Sequence, residues 1–210
     1  MLNLSDAVSA LNKIADILES DNVPYWIDSG TLLGAYRDKN FNIYDHDIDI
    51  RMKESDMVSD GKASIVKSLW EGGFHKIEGN GAEVPQILFS EDVGGVLVDL
   101  KFCPENEDFL WYYVWREPDP TPMLHVFPKR FFEKLGVINL YGRDYPCPSP
   151  VEEYILHHYG PDWRKFKVRI EDANETDATW DYMKDPPCAM TQGQFFALQQ
   201  TNPFNLYGGA

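Results

Sequence analysis

Leu4, Val8, Leu11, Ala15 and Leu18 recur three or four positions apart, the spacing that gathers apolar side chains on one face of a helix. Ser5 and Asp6 suit a first helical turn and Asp21-Asn22 a last one, so the pattern predicts an amphipathic helix from Ser5 to Ser20. Tyr25-Trp26-Ile27 predicts a short buried strand. Asp28-Ser29-Gly30 breaks it, and Thr31 to Tyr36 predicts a short helix. From Ile43 to Met52 the period drops to two, with Ile48 and Ile50 set between acids. That alternation predicts a strand with one apolar and one acidic face. Ser55 to Trp70 predicts a second long helix, stopped by Gly72-Gly73.

Three strand patterns follow, Phe74 to Ile77, Gln86 to Ser90 and Val96 to Phe102, with glycines at 79, 81, 94 and 95 marking turns. Trp111 to Trp115 and Leu124 to Phe127 add strands or cover the sheet. Val137 to Leu140 and Asp144-Tyr145 predict a hairpin around Gly142-Arg143, and Pro150 opens a helix through about Tyr159. Beyond Arg164 the periodicity weakens. Residues 164–210, with Pro186-Pro187 and Gly208-Gly209, read as an irregular wrap or tail on a domain formed by residues 1–163. There is no internal repeat.

The length of 210 residues and a hydrophobic content of 43% suit one domain with a sizeable core. Charge narrows the partners. Nineteen Lys and Arg against 34 Asp and Glu give a net charge of -15, which repels a nucleic-acid backbone. A phosphorylated small substrate would need a divalent ion or locally placed basic side chains. Cys103, Cys147 and Cys188 are far apart and form no CxxC pair. They read as structural thiols in a reducing, cytoplasmic compartment rather than as a zinc site or disulfide framework. Met1 to Ser20 holds no continuous apolar run, so neither a signal peptide nor a transmembrane segment is expected.

Asp45-His46-Asp47-Ile48-Asp49 is the sharpest chemical feature. On a strand Asp45, Asp47 and Asp49 share a face, with neighbouring carboxylates roughly 6–7 Å apart along the chain. Two of them can converge on a divalent ion, and oxygen-only ligation suits Mg2+, or Mn2+, bound to phosphate. Taken alone, the same residues also describe a solvated acidic strand. Upstream, Gly30 and Thr31 open the run Gly30-Thr31-Leu32-Leu33-Gly34, where backbone amides at a helix start favour phosphate. The alternative is a turn and a closely packed helix. Arg37 and Lys39 between that turn and the acids are candidates for a diphosphate clamp, or are solvated. Asp99 closes the apolar run Val96-Leu97-Val98, and an acid there wants a metal or hydrogen-bond donors. His157 and His158, within the last helix, read as packing residues. Trp111-Tyr112-Tyr113 and Trp115 read as sheet packing ahead of a cage for a choline-like cation.

Asp28 to Arg37, followed by Tyr44 to Ile50, resembles the LicD/fukutin family, whose hallmark is a GTLLG turn, an arginine and a D-x-D-x-D segment. Val98-Asp99-Leu100 resembles the family's later single-aspartate strand. Tyr141-Gly142, Pro146 to Tyr154 and Tyr159-Gly160-Pro161-Asp162-Trp163 resemble its closing segment. The likeness runs in register over about residues 24 to 163. It implies an α+β, nucleotidyltransferase-like fold, a mixed β-sheet flanked by helices. It implies a phosphotransferase that moves a substituted phosphate from a CDP-linked donor to a hydroxyl of a glycan or related acceptor. Asp47, Asp49 and Asp99 would be its catalytic, metal-holding carboxylates, and Gly30, Thr31, Arg37 and Lys39 its phosphate contacts. Nucleotidyl transfer from an NTP, and a degenerate binding module, are the rival readings. His46 stands where bacterial members often carry aspartate, but strand alternation turns it off the acidic face. The family's animal Golgi members carry a membrane anchor that is absent here, which points to a soluble, microbial-type enzyme.

Overall fold

The computed structural model describes residues 3–42, 45–57, 61–78, 86–91, 95–116, 119–165 and 186–200. Helix α1 (Leu4–Ser20) begins where the Asn3 side chain accepts from the amides of Ser5 and Asp6, satisfying donors that a helix start leaves open. It buries Ala7, Ala10, Leu11, Ile14, Ala15 and Leu18, so Leu11, Ala15 and Leu18 of the stripe read from the sequence meet the core, while Leu4 is exposed and Val8 half-buried. Strand β1 (Trp26–Ile27) leads into α2 (Ser29–Arg37), and β2 (Asp47–Lys53) follows. The strand predicted from Ile43 starts at Asp47, and Ile43 and Tyr44 lie outside the described residues. A 3-10 turn at Glu54–Asp56 and α3 (Gly61–Glu71) stand where one continuous helix was expected.

Strands β3 (Phe74–Glu78), β4 (Gln86–Glu91) and β5 (Leu97–Cys103) complete a five-stranded sheet in the order β1-β2-β5-β4-β3. The β2–β5 pair is parallel and the other pairs are antiparallel, so the sheet is mixed. A parallel pair needs a long crossover, which α3, β3 and β4 supply.

Both central strands are divided by face. On β2, Ile48, Ile50 and Met52 are fully buried, and on β5 so are Val98, Leu100 and Phe102. These six join α1 and β1 in the main core. The opposite face carries Asp47, Asp49 and Arg51 on β2, and Asp99 and Lys101 on β5. A charged face this deep must be paired with partners from elsewhere in the fold.

Those partners come from the second half of the chain. Strands β6 (Phe109–Arg116) and β7 (Asp119–Pro128) form a sheet that β10 (Ala189–Met190) extends along β7. Tyr112 of β6 is buried against the charged face, with the Arg51 guanidinium 5.0 Å and the Lys101 ammonium 5.1 Å from its ring centre. Trp111, the next residue along the pleat, faces the other way and packs on Phe195 of α5 (Gln192–Gln200), with ring centres 4.9 Å apart. Residues 186–200, part of the segment expected to be irregular, thus hold a strand and a helix. The remainder of 164–210 beyond residue 165 lies outside the described residues. The hairpin of β8 (Gly136–Leu140) and β9 (Arg143–Cys147), then α4 (Val151–Tyr159), close the domain.

One glycine fixes how α2 meets the chain that returns from it. A Cβ on Gly34 would stand 2.6 Å from the Asn40 carbonyl oxygen and 2.7 Å from the Asn42 amide nitrogen. Both are backbone atoms, which cannot swing aside. Gly34→Ala is therefore expected to cost about 1–3 kcal/mol, as overpacking does, read as a lowered midpoint in thermal melting. An unchanged melt would mean that the returning loop is not packed as described.

Candidate active site

The site is built where the start of α2 meets the charged face of β2 and β5. Asp28 caps α2, accepting from the Ser29 amide at 2.7 Å. Buried Asp28 also accepts from the Tyr154 hydroxyl of α4 at 2.6 Å and from Trp26 Nε1 at 3.4 Å. Thr31, in the first turn, makes a reciprocal pair with Asp49. The Asp49 amide donates to Thr31 Oγ1 at 2.9 Å, and the Thr31 amide donates to Asp49 Oδ2 at 3.4 Å. The positive end of the helix is thereby aimed at a carboxylate. A Cβ at Gly30 would lie 1.9 Å from Asp45 Oδ2 and would have to displace that carboxylate. The bare Cα of Gly30 lets the Asp45 carboxylate approach the helix start.

Asp45, Asp47 and Asp49 each offer an oxygen within 4.8 Å of the others. Asp45 precedes the regular strand, yet its carboxylate joins the cluster. Asp99 lies opposite Asp49 in the parallel register, and Lys101 opposite Arg51. In such a pair, opposed residues share a face. One Arg51 guanidinium nitrogen, Nη2, donates to Asp49 Oδ1 at 2.9 Å and lies 3.4 Å from Asp99 Oδ2. Arg51 Nη1 donates to the Asp99 carbonyl at 2.8 Å. Lys101 Nζ lies 3.2 Å from Asp99 Oδ2. Arg51 Nε is 3.9 Å from Asp28 Oδ2, so the cap of α2 belongs to the same charge network.

The balance of this network is negative. Asp45, Asp47, Asp49 and Asp99 face Arg51 and Lys101, and all but the half-buried Asp47 are buried. Burial, and then the Asp47 charge, push the Asp49 carboxyl up to about 8, against the pull of Arg51. Such crowding is relieved by a divalent ion, and an all-oxygen donor set fits Mg2+ or Mn2+. Burial opposes the charge on Arg51, but Asp99 and Asp49 outweigh it and hold the guanidinium protonated. Burial, with Asp28 adding to it, raises the Tyr112 hydroxyl well above its ordinary value, so the ring over Arg51 is a neutral phenol.

Asp47, Asp49 and Asp99 thus stand together, with Gly30 and Thr31 beside them. Arg37 and Lys39 are placed elsewhere. Arg37 is in the last turn of α2, about 9 Å along the helix from Thr31. There it pairs with Asp38 at 2.6 Å and donates to the Trp163 carbonyl at 3.5 Å. Lys39 lies over the Tyr36 ring and lines a groove of about 520 Å³ with Val137, Asn139 and Tyr141. His46 is exposed. His157 Nε2 is 2.9 Å from the Val126 carbonyl oxygen. His158 is buried with Nε2 3.4 Å from the Tyr112 hydroxyl. Burial lowers both imidazoles below the ordinary histidine value.

Four contributors were not assigned to the site from the sequence: Arg51, Lys101, Asp28, which reads there as a strand breaker, and Tyr112, which reads there as sheet packing. Two left a signal there. Arg51 and Lys101 each follow an aspartate by two positions, the spacing that keeps them on the acidic face. Asp28 and Tyr112 reach the site through contacts distant in sequence, which no local pattern encodes.

A family model described as LicD/FKTN/FKRP, nucleotidyltransferase domain, matches residues 22–150. The ribitol-5-phosphate transferases FKTN of Macaca fascicularis and Homo sapiens are each 26% identical over 204 residues. The alignment covers 96% of this chain and 40% of theirs, so the chain spans well under half the length of these relatives. Among solved structures, ANT(2")-Ia in complex with adenylyl-2"-tobramycin is similar at a TM-score of 0.43 and 18% identity, covering 68% of each chain. A solution structure of the antibiotic-resistance factor ANT(2'')-Ia gives 0.44 and 19%, covering 70% of this chain and 67% of that one. No helix among the described residues is long and apolar enough to cross a membrane.

Proposed function

The chain belongs to the LicD/FKTN/FKRP nucleotidyltransferase-domain family, and from that membership we propose that it is a metal-dependent phosphotransferase. It moves a substituted phosphate, such as phosphocholine or an alditol phosphate, from a CDP-linked donor to a hydroxyl of a glycan or related acceptor, and CMP leaves. The observation that carries this reading is the clustering of Asp45, Asp47 and Asp49, with Asp99 set opposite Asp49 on the same face and Arg51 and Lys101 beside them. The FKTN relatives, named as ribitol-5-phosphate transferases, support the substrate class.

Asp47 and Asp49 are assigned to hold Mg2+ or Mn2+, with Asp45 beside them and Asp99 completing the carboxylate set. When bound, such an ion neutralises charge on the phosphate oxygens and orients the diphosphate. The chain's own residues prepare the place. Thr31 fixes Asp49 through both its amide and its hydroxyl. Arg51 holds Asp49 and Asp99 in one plane of charge. Lys101 and the first turn of α2 add positive potential where phosphate arrives. Arg37, in the last turn of α2, and Lys39, two residues beyond it, are assigned to parts of the substrate outside the reacting centre. In the transfer, the acceptor oxygen bonds to the phosphorus that bears the cargo, and the bond from that phosphorus to CMP breaks.

A screen of CDP-choline, CDP-ribitol, CDP-glycerol and free NTPs, with mass detection of products, tests the reading. CMP release with transfer of the cargo is the expected result. Pyrophosphate release from an NTP would replace it with nucleotidyl transfer. Absence of both, with no melting shift from metal plus nucleotide, would make the domain a binding module.

Asp99 has its own test. Asp99→Asn is expected to raise the Mg2+ concentration needed for half-maximal rate by about tenfold or more, with the rate recovered at high Mg2+. A lost rate with unchanged Mg2+ dependence would move Asp99 from the metal to the acceptor's proton.

A further inference from the structure

We propose that His125, His158 and Cys188 form a second metal site, separate from the carboxylates, that takes one zinc ion. The three come from three parts of the fold: His125 from β7, His158 from α4, and Cys188 from the turn leading into β10. Their ligand atoms lie within 4.8 Å of one another, and the residues are 4%, 4% and 1% exposed. Cys188 Sγ sits 3.8 Å from the His158 carbonyl oxygen. The His125 and His158 rings meet edge to face with centres 5.5 Å apart. His158 Nδ1 is buried and has no hydrogen-bond partner among the described residues, a costly state for a ring nitrogen that a metal bond would satisfy.

The donor chemistry selects the ion. Two imidazoles and a thiolate do not suit Mg2+, which takes oxygen; they suit zinc, or copper where a soft fourth ligand stands beside them, and among the described residues the cluster is of the three alone. Zinc bonds of about 2.0–2.3 Å put ligand atoms about 3.5 Å apart, so the side chains need to close by at most about 1 Å. Three protein ligands leave a fourth position for water. Tyr112 separates the two centres. Its hydroxyl lies 3.4 Å from His158 Nε2, while its ring carries Arg51 and Lys101. Its hydroxyl thus meets the histidine, and its ring face meets the two cations of the carboxylate network. A zinc ion here would clasp β10 and α5 to α4 and β7. The absence of a CxxC pair does not count against such a site, because each ligand comes from a separate segment.

The test is metal analysis of the full chain, then Co2+ substitution. Protein purified without chelator is expected to carry one zinc per chain, retained in Asp47→Asn. Metal-depleted protein given Co2+ should show a thiolate-to-cobalt absorption band. Cys188→Ser should lose that band, and Cys103→Ser and Cys147→Ser should keep it. His125→Gln and His158→Gln should weaken it and lose the melting rise that zinc gives the wild type. If a replacement at Cys188 fails to fold, the wild-type titration decides. Folded, metal-depleted wild type that shows no thiolate band with excess Co2+ overturns the site. So does a band that survives Cys188→Ser, or zinc that is lost with Asp47→Asn.

Discussion

Asp47→Asn and Asp49→Asn are each expected to lose turnover by about a thousandfold or more while the fold stays intact. The expected loss follows from charge. Asparagine keeps the shape and one oxygen but removes the negative charge that holds a divalent ion, and metal-borne stabilisation of a transferring phosphate is worth several kcal/mol. At about 1.4 kcal/mol per factor of ten, that is about three orders of magnitude. Stability should go the other way or not move. Asp49 is buried beside Asp47, and its ionised form is already opposed by burial and by that neighbour. A neutral amide in its place relieves repulsion, and its single oxygen keeps the 2.9 Å bond from Arg51 while the longer 3.4 Å bond from the Thr31 amide to the other oxygen is given up. The measurement is product formation by mass detection beside a thermal melt, both at saturating Mg2+. Activity within tenfold of the wild type in either variant would remove the proposed metal centre.

Arg51→Met should unfold more readily than any other single replacement at the site, by about 3–5 kcal/mol. That is the range for removing one partner of a buried ion pair and leaving the other charge uncompensated. Here one side chain, 1% exposed, serves Asp49, Asp99 and Asp28 at once. It also bonds the Asp99 carbonyl and stacks on Tyr112. For a chain of this size the loss corresponds to a fall of about 10 °C in melting midpoint. Arg51→Lys keeps the charge but cannot span two carboxylates, so it should fall between. A melt of Arg51→Met within about 1 kcal/mol of the wild type would mean that the aspartates are neutral or solvated without it.

Legibility in the sequence followed the range of each interaction. The stripe of α1 and the alternation of β2 and β5 are periodic, and period survives folding because the core reads it directly. The pairing of Asp49 with Asp99 was legible only as an expectation that two strands would meet, and the parallel register of β2 and β5 places them opposite one another. Asp28 looked like a strand breaker. Its bond to Tyr154 spans 126 positions, a range on which local pattern is silent. The 3-10 turn at Glu54–Asp56 interrupts what propensity alone would extend as helix. α5 has a weak helical stripe, and what docks it is Phe195 on Trp111 and Phe109, a contact made by the completed sheet. Arg37 is near the acids in sequence. The nine residues of α2 carry it to the other end.

The parallel pairing of β2 with β5 also sets an order of assembly. Hairpins such as β6–β7 and β8–β9 close over short loops and can form early. The β2–β5 pair joins Asp49 to a partner 50 positions away and must wait for the larger closure. That late step brings two acidic strands side by side in a medium that weakens their solvation. Each strand, however, carries its own counter-charge two residues behind its aspartate, Arg51 on β2 and Lys101 on β5. The strands therefore approach as nearly neutral ribbons. The surplus negative charge sits at the Asp45 and Asp47 end of β2, where the pairing begins. Dissolved divalent ions should then act on the speed of folding as well as on catalysis, by easing the last approach of the two strands.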